Sequence, residues 1–418
     1  MCMKTKKGII FVFLFMFMLS MGLASHVYAQ RVDKIKIGLM YGLTGAGSPI
    51  GPVQMEGSKL AIKDINEAGG VRIGDRKVPV EFVQRDDETK PDVALRRLRE
   101  LVYEDKVHAV VGSTFAAISA ALNKEVKKTP IPYFSVCVAP MTMFKKDELA
   151  DTTFGVHGGA YAIGFSGAAY IINKLGYKNI YFFAPAYAFG WDQKAGAKDA
   201  IEKYGAKWEY AESPVGTPDF TPYLLKIAEK KPDIVMMAHW GVDAINVLKQ
   251  AHETGLKKHT KIWFNWMTNV FGGGIPPEAL EGVNSLMSWY WNMTGFNDPA
   301  IVKAADEFVK KYVKEYNYPP DPYAANAYIG VKEAIRGIEL AKSTDPMAIA
   351  KALKDNPKFD SMRGPGVWRT DHQPLFKYGS FVVVGKSPQE KKDKWDLVKV
   401  LGAYTGEDYL PPLKELGY

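Results

Sequence analysis

Hydrophobic and polar positions follow two periods along this chain, and the two periods succeed each other repeatedly. Residues 34–41 (KIKIGLMY) alternate and then become continuously apolar, which is typical of a parallel strand covered on both faces. Residues 54–68 then carry apolar side chains at helical spacing, and Gly69 and Gly70 end that predicted helix.

The same order of strand and helix continues through most of the chain. Further strands are predicted at residues 78–84, 109–111, 133–136, 179–184 and 233–238, and a second helix at residues 91–104. Strands that alternate with helices imply parallel sheets with right-handed crossovers. Because 418 residues exceed what one compact core usually holds, we expect two such doubly wound α/β lobes.

Three stretches rich in glycine or aromatic residues separate the periodic segments, at residues 153–159, 286–295 and 364–374. We expect the chain to cross between the lobes at these places. The predicted first lobe contains residues 30–155 and 290–368. The predicted second lobe contains residues 156–289 and 369–418.

The first 29 residues have the three-part composition of a secretory signal peptide. Three lysines precede an almost wholly apolar run from Gly8 to Leu23, and small residues at Val27 and Ala29 mark a cleavage site before Gln30. A membrane anchor is the alternative, since the apolar run is nearly long enough to span a bilayer. We favour cleavage, and expect a protein secreted to the periplasm.

Charge and cysteine content narrow the function. Loss of three lysines and no acidic residues lowers the formal net charge from +8 to +5. Such a charge is no evidence for nucleic-acid binding. Only Cys137 remains after cleavage, so the mature chain can form no internal disulfide.

The motifs that resemble catalytic or cofactor sites are incomplete. The glycines of residues 45–51 stand where a dinucleotide-binding turn would lie, but their spacing is loose, and Asp86 and Asp87 follow at about twice the usual separation. We expect these two acids to be capping or surface groups. No cofactor is expected.

Esterase and metal chemistry are also disfavoured. Residues 157–160 (HGGA) resemble an oxyanion turn, but the nearest serine, Ser166, lacks the Gly-x-Ser-x-Gly context. The histidines are scattered, and no metal site is expected. The sequence therefore predicts a binding protein rather than an enzyme.

Several segments resemble the leucine/isoleucine/valine-binding proteins of ABC importers, which are type I periplasmic solute-binding proteins. The most specific is IKIGLMYGLTGAGSPIGPVQMEGSKLAIKDINEAGGV, and others are VEFVQRDDETKPDVALRRLRELV, TPIPYFS and GPGVWRTDHQPLFKYGSFVVV. The resemblance implies two lobes joined by a three-strand hinge, a solute enclosed between them, and a monomer that delivers the solute to an ABC permease complex in the inner membrane.

The resemblance also implies a ligand site in which the polar groups of the family are replaced. In the first lobe, Phe115 and Ala116 lie in the loop that binds the substrate carboxylate, and Ala116 replaces a serine. Cys137 and Val138 lie in the next loop, which lacks the family's threonine. Tyr323 matches a lining aromatic residue.

In the second lobe the replacements are aromatic. Phe189 matches a tyrosine, Trp240 matches the tyrosine that helps to hold the substrate ammonium, and Trp266 matches the ammonium-binding glutamate. His157, at the first crossover, is a candidate donor to an acidic ligand. We therefore expect an aromatic or other hydrophobic carboxylate. The alternatives are an amino acid, a choline-like cation held by aromatic rings, and a sensor of the same fold.

Overall fold

The computed structural model describes residues 32–418, so the predicted signal peptide lies outside the described residues. The described strands, in chain order, are β1 Ile35–Tyr41, β2 Val71–Ile73, β3 Arg76–Val78, β4 Val80–Asp86, β5 Ala109–Gly112, β6 Tyr133–Ser135, β7 Thr153–Gly155, β8 Asn179–Pro185, β9 Lys207–Ser213, β10 Ile234–Met237, β11 Lys261–Asn265, β12 Asn284–Met287, β13 Lys358–Phe359, β14 Gly366–Trp368, β15 Pro374–Phe376, β16 Ser380–Gly385 and β17 Val398–Tyr404.

The α-helices lie between these strands. They are α1 Gly51–Glu67, α2 Pro91–Arg99, α3 Ala116–Lys128, α4 Ala160–Asn173, α5 Ala188–Tyr204, α6 Thr221–Lys230, α7 Gly241–Glu253, α8 Asn269–Gly272, α9 Pro277–Leu280, α10 Pro299–Tyr316, α11 Pro322–Ala341 and α12 Pro346–Asp355. A π-helical turn, Glu100–Glu104, continues α2.

Two large sheets organise the fold. Five parallel strands form the first, in the spatial order β4–β1–β5–β6–β7. The second has the order β17–β16–β12–β11–β10–β8–β9. In it β8 to β12 run parallel to one another, β16 is antiparallel to β12, and β17 is antiparallel to β16. The predicted class, α/β with parallel sheets, is confirmed.

We call the first sheet with its helices the first lobe, and the second sheet with its helices the second lobe. Helix α1 packs on β1 and on α11 in the first lobe, whereas α4 and α5 pack on each other in the second. The chain enters the second lobe after β7, returns to the first after β12, and rejoins the second sheet at β16. The residue limits of the lobes remain a prediction.

The strands predicted from periodicity are all present, with boundaries that differ by at most two residues. The predicted strand 78–84 begins at Val80, because Pro79 separates it from the β2–β3 hairpin. Proline has no N–H to donate to a sheet, so a strand readily ends beside it. The Pro79 carbonyl still accepts a hydrogen bond from Ile35 N–H at 2.9 Å.

Helices α4 and α5 approach each other through glycines. A Cβ atom on Gly164 of α4 would lie 1.9 Å from the carbonyl oxygen of Gln193, and one on Gly196 of α5 would lie 2.1 Å from that of Tyr161. Real Cβ atoms do not come so close to backbone oxygens. The two helix backbones are therefore in direct contact, which fixes the position of α5 at the edge of the site described below.

Replacing Gly196 with alanine is expected to lower the free energy of unfolding by about 1–3 kcal/mol, because the two backbones must separate. In an exposed helix interior the same change is normally stabilising, by about 1 kcal/mol. Urea unfolding measures the difference. Lys198→Ala, at an exposed position of the same helix, is the control and is expected to change stability by less than about 0.5 kcal/mol. A stabilised Gly196→Ala variant would contradict the close packing.

Candidate ligand-binding site

A cavity of about 80 Å³ lies between the two lobes. Its wall residues are Thr114, Phe115, Ala116, Cys137, Val138, Tyr187, Phe189, Trp240, Trp266 and Tyr323. Most of them follow directly after β5, β6, β8, β10 and β11. Ligands of open parallel sheets bind outside the carboxyl ends of the strands, which is where this cavity lies. A single water needs about 10–15 Å³ by this measure, so the cavity has room for a small organic molecule.

Eight of the nine residues predicted to bind ligand lie in this wall. The exception is His157, which lies beside Trp266 with the ring centroids 4.5 Å apart, outside the wall. Thr114 and Tyr187 also line the cavity but are not among the nine. Both follow strand ends directly, which is the signal that identifies them. The ligand-binding roles of all these residues remain predictions.

The hydroxyl of Tyr323 joins the two lobes across the cavity. Tyr323 lies in the first turn of α11, and its oxygen accepts hydrogen bonds from the indole N–H groups of Trp240, at 3.2 Å, and Trp266, at 3.3 Å. An indole N–H donates and cannot accept, so both lone pairs of the hydroxyl are used. The hydroxyl proton is therefore left to donate elsewhere. We call these three residues the Tyr323 junction.

Trp266 has an unusual backbone conformation. Its φ of 71° lies in the left-handed region, which a bulky side chain rarely adopts. Such residues cost about 1–3 kcal/mol and cluster at functional sites. The turn after β11 is held by Met267 N–H, which donates to the carbonyl of Leu286 at 3.2 Å. This turn places the indole against Tyr323.

Aromatic contacts continue from the junction along the wall. Phe115 meets Trp240 edge-on, with the centroids 5.1 Å apart, and Trp240 meets Phe271 at the same centroid distance. Tyr187 and Phe189 form a tilted pair 6.0 Å apart. None of the wall residues is acidic or basic. The site is therefore a ring-lined space whose polar groups are hydroxyls, a thiol and backbone amides.

A cluster of hydroxyl groups lies behind Cys137. Its thiol is within 3.1 Å of the Ser119 hydroxyl, which is also 2.7 Å from Ser113 Oγ and 2.8 Å from Ser135 Oγ. Burial raises the pKa of the Cys137 thiol. The thiol stays protonated and hydrogen-bonded, so it lacks the thiolate that a nucleophile requires.

His157 is neutral and lacks hydrogen-bond partners. Neither ring nitrogen has one among residues 32–418, and both are shielded from solvent. Burial, together with the positive charge of Arg363, lowers its pKa to about 3. As a neutral imidazole it has one N–H to donate and one nitrogen to accept.

The prediction that Asp86 and Asp87 are capping or surface groups is wrong for Asp87. Asp87 is fully buried, its Oδ1 accepts from Thr89 N–H at 2.8 Å, and its Oδ2 has no partner within the described chain. Burial raises its pKa to about 6. Asp86 holds the turn after β1 instead, because its oxygens accept from Leu43 N–H and from the Thr44 hydroxyl. A polar dipeptide carries no periodicity that would reveal which acid turns inward.

A second polar contact between the lobes involves Asp321. This buried carboxylate caps α11, accepting from Tyr323 N–H at 3.0 Å through Oδ1, and accepts from Val270 N–H of α8 at 3.1 Å through Oδ2. Helix α8 belongs to the second lobe, where it packs on α7. Burial raises the pKa of Asp321 to about 6, against the opposite effect of these amide donors.

The fold and the cavity between the lobes define a class: two-lobed proteins that hold a small molecule between two parallel-sheet lobes. Residues 34–387 match the periplasmic binding protein family, and the chain belongs to that family. It is similar to Leu/Ile/Val-binding protein homolog 8 of Brucella abortus, with 23% identity over 84% of this chain and 87% of the relative. The family binds small solutes and works with ABC permeases.

Solved structures share the fold. A branched-chain amino acid ABC transporter ligand-binding protein from Burkholderia xenovorans has a TM-score of 0.80 at 23% identity, over 91% of this chain and 98% of that one. An R. palustris solute-binding protein in complex with benzoate has a TM-score of 0.72 at 20% identity, over 89% and 96%. A Streptococcus pneumoniae protein in complex with isoleucine has a TM-score of 0.69 at 22% identity, over 88% and 99%.

Membrane-spanning helices and metal-binding clusters are both absent from the described residues. None of the helices between residues 32 and 418 is long and apolar enough to cross a membrane. In the same part of the chain, no three His, Cys, Asp or Glu side chains are grouped so as to hold a metal ion.

Asp321 is expected to make the stability of the protein depend on pH in a defined window. Between about pH 4 and 6 the Asp321 carboxyl is ionised in the unfolded chain but still protonated in the folded chain. The free energy of unfolding therefore falls as the pH rises. The fall is about 2–3 kcal/mol. Because Asp87 contributes with the same sign, the prediction concerns the difference between wild type and Asp321→Asn, measured by urea unfolding from pH 4 to 7.

The Asp321→Asn variant is expected to show a smaller fall across this window than wild type. Asp345→Asn, which changes an exposed capping carboxylate of α12, is the matched control and is expected to keep the wild-type profile. Parallel profiles for wild type and Asp321→Asn would show that the Asp321 carboxylate does not titrate here.

Proposed function

We propose that this protein is the periplasmic solute receptor of an ABC importer, and that it holds a flat hydrophobic carboxylate in the cavity between its lobes. One observation carries the proposal: the wall consists of aromatic and small side chains, without an acidic residue, around a tyrosine hydroxyl whose proton is free to be donated. Signal-peptide cleavage, a monomeric state and delivery to a permease are parts of the same proposal.

The wall favours a planar ligand over an amino acid. Each offset or edge-on ring contact contributes about 1 kcal/mol beyond the burial of area, and the wall offers Phe115, Tyr187, Phe189, Trp240 and Trp266. A buried ammonium without a carboxylate loses about 3–5 kcal/mol, which is a hundredfold or more in affinity.

Hydrogen-bond donors support an acidic ligand. Helix α3 begins at Ala116, and its N-cap residue, Phe115, has no side-chain oxygen to satisfy the first amides. Such amides are available to an anion, and the helix dipole favours negative charge there. Together with the hydroxyl of Tyr323 they provide donors on two sides of the first-lobe wall.

The amino acid alternative requires a carboxylate near the ligand. The neighbouring structures include both a benzoate complex and an isoleucine complex, so the fold accommodates both classes. The buried Asp87 has one free oxygen, but it does not line the cavity. Because no carboxylate side chain stands in the wall, the acidic ligand is favoured.

A thermal-shift screen tests the proposal directly. Benzoate and hydroxybenzoates are compared with leucine, valine, aliphatic acids and choline, using the mature protein. A specific ligand at a hundredfold excess over its Kd adds about 2.7 kcal/mol of stability. We expect the aromatic acids to raise the melting temperature most. A strong shift with leucine or valine and none with aromatic acids would refute the proposed ligand class.

Truncation of the wall indoles is expected to weaken binding without unfolding the protein. Trp240→Ala and Trp266→Ala each remove a stacking surface and one donor to Tyr323, and should raise Kd about thirtyfold, which corresponds to about 2 kcal/mol. Isothermal titration with the best ligand of the screen measures this.

The matched control for these variants is Trp191→Ala. Trp191 lies on α5 just beyond Phe189, is 49% exposed, and does not line the cavity. It is expected to leave Kd within twofold. Equal affinities for wild type, Trp240→Ala and Trp266→Ala would remove both indoles from the site.

A further inference from the structure

Arg363 is a buried cation without a counter-ion. It is 2% exposed, its Nη1 donates to Asn326 Oδ1 at 3.2 Å, and its guanidinium carbon lies 3.9 Å from the ring centre of Phe376. Its Nε has no hydrogen-bond partner, and no carboxylate of residues 32–418 forms an ion pair with it. Other shielded arginines are paired: Arg369 with Asp371 and Arg336 with Glu333.

An unpaired buried charge is costly. A charge removed from water must be compensated by a partner, or the group loses its proton. Burial lowers the pKa of Arg363 to about 10, so the guanidinium is still protonated at neutral pH. Its positive charge is therefore present and uncompensated by the chain itself.

A path of contact leads from Arg363 to the Tyr323 junction. Asn326, which accepts from Arg363, lies one turn along α11 from Tyr323 and so on the same face of the helix. The charge of Arg363 also contributes to the lowered pKa of His157, whose ring packs against Trp266. The uncompensated cation is thus connected through Asn326 to the helix that carries the Tyr323 hydroxyl.

The acidic groups near this part of the wall do not neutralise the cation. The oxygens of Asp321 are occupied by the amides of Tyr323 and Val270. Asp87 accepts from Thr89 N–H and lies close to Gly42 in the turn after β1, and it forms no ion pair with Arg363. His157 is neutral and has an N–H without a partner.

We propose that Arg363 supplies the counter-charge for an anionic group of the ligand. The carboxylate of the solute accepts a hydrogen bond from the Tyr323 hydroxyl and completes the charge balance that the chain leaves open at Arg363. The ligand class is therefore anionic solutes, and Arg363 is a residue that determines specificity from behind the wall. This inference rests on the proposed function, because it assumes a solute in the cavity between the lobes.

The experiment compares ligands that differ only in charge. Benzoate and benzamide have the same shape, and leucine and leucinamide form a second pair. Isothermal titration gives the acid-to-amide affinity ratio for wild type, Arg363→Met and Arg363→Lys. We expect wild type to prefer the acid at least tenfold. Arg363→Met should reduce this preference below threefold with the affinity for the amide unchanged, and Arg363→Lys should retain part of it.

A matched control removes the same charge elsewhere. Arg97 also has a buried Nε without a partner, but it lies on α2 of the first lobe, and its partner Glu100 remains paired with Arg85 after substitution. Arg97→Met is expected to keep the wild-type ratio. Circular dichroism and melting temperature confirm that each variant is folded, and if Arg363→Met does not fold, Arg363→Lys and Arg363→Gln take its place.

The outcomes separate this inference from the proposed function. An acid preference for the leucine pair alone, lost in Arg363→Met, would refute the aromatic ligand while supporting the role of Arg363. An acid preference that Arg363→Met leaves unchanged would refute that role. A wild-type melting temperature that rises with sodium chloride but not with sodium gluconate, together with an unchanged ratio, would assign the counter-ion to chloride and also overturn the inference.

Discussion

The site depends on one hydroxyl oxygen. Tyr323 belongs to the first lobe, and the two indoles that donate to it belong to the second, so the contact exists only when the lobes are together. The same contact determines the chemistry offered to a solute, because an oxygen with both lone pairs engaged presents its proton. Closure of the lobes and polarity of the cavity are thus set by a single group. A receptor that is to be recognised in its closed form needs a coupling of this kind.

The side chains around the cavity form two layers. Rings and small side chains form the surface that a solute touches, while the serine cluster behind Cys137, the carboxylate of Asp321 and the guanidinium of Arg363 lie beneath it. Groups held in a medium of low polarity act on one another more strongly than they would in water. Selectivity can therefore come from charges that never contact the solute.

Much of the fold and of the wall was predictable, and the reasons differ. The strands follow from periodicity, since buried parallel strands such as β1 are continuously apolar. The wall residues follow from their position after strand ends and from the family resemblance, which identified Trp240 and Trp266 although they are not the family's residue types. Periodicity does not show which polar side chains come into contact when distant segments of the chain pack together. The burial of Asp87, the bridge made by Asp321 and the isolation of Arg363 each depend on segments far apart in sequence, and only the assembled structure reveals them.

The glycine contacts between helices have a mechanical consequence. In the second lobe α4 and α5 touch through Gly164 and Gly196, and in the first a Cβ on Gly57 of α1 would lie 2.1 Å from the carbonyl oxygen of Ala324 in α11. Helices whose backbones touch have no side-chain layer that can slide or compress between them. Each half of the molecule is therefore expected to keep its shape when the lobes move relative to each other. For the proposed receptor, a permease would then meet two unchanging faces, and the angle between them would report a bound solute.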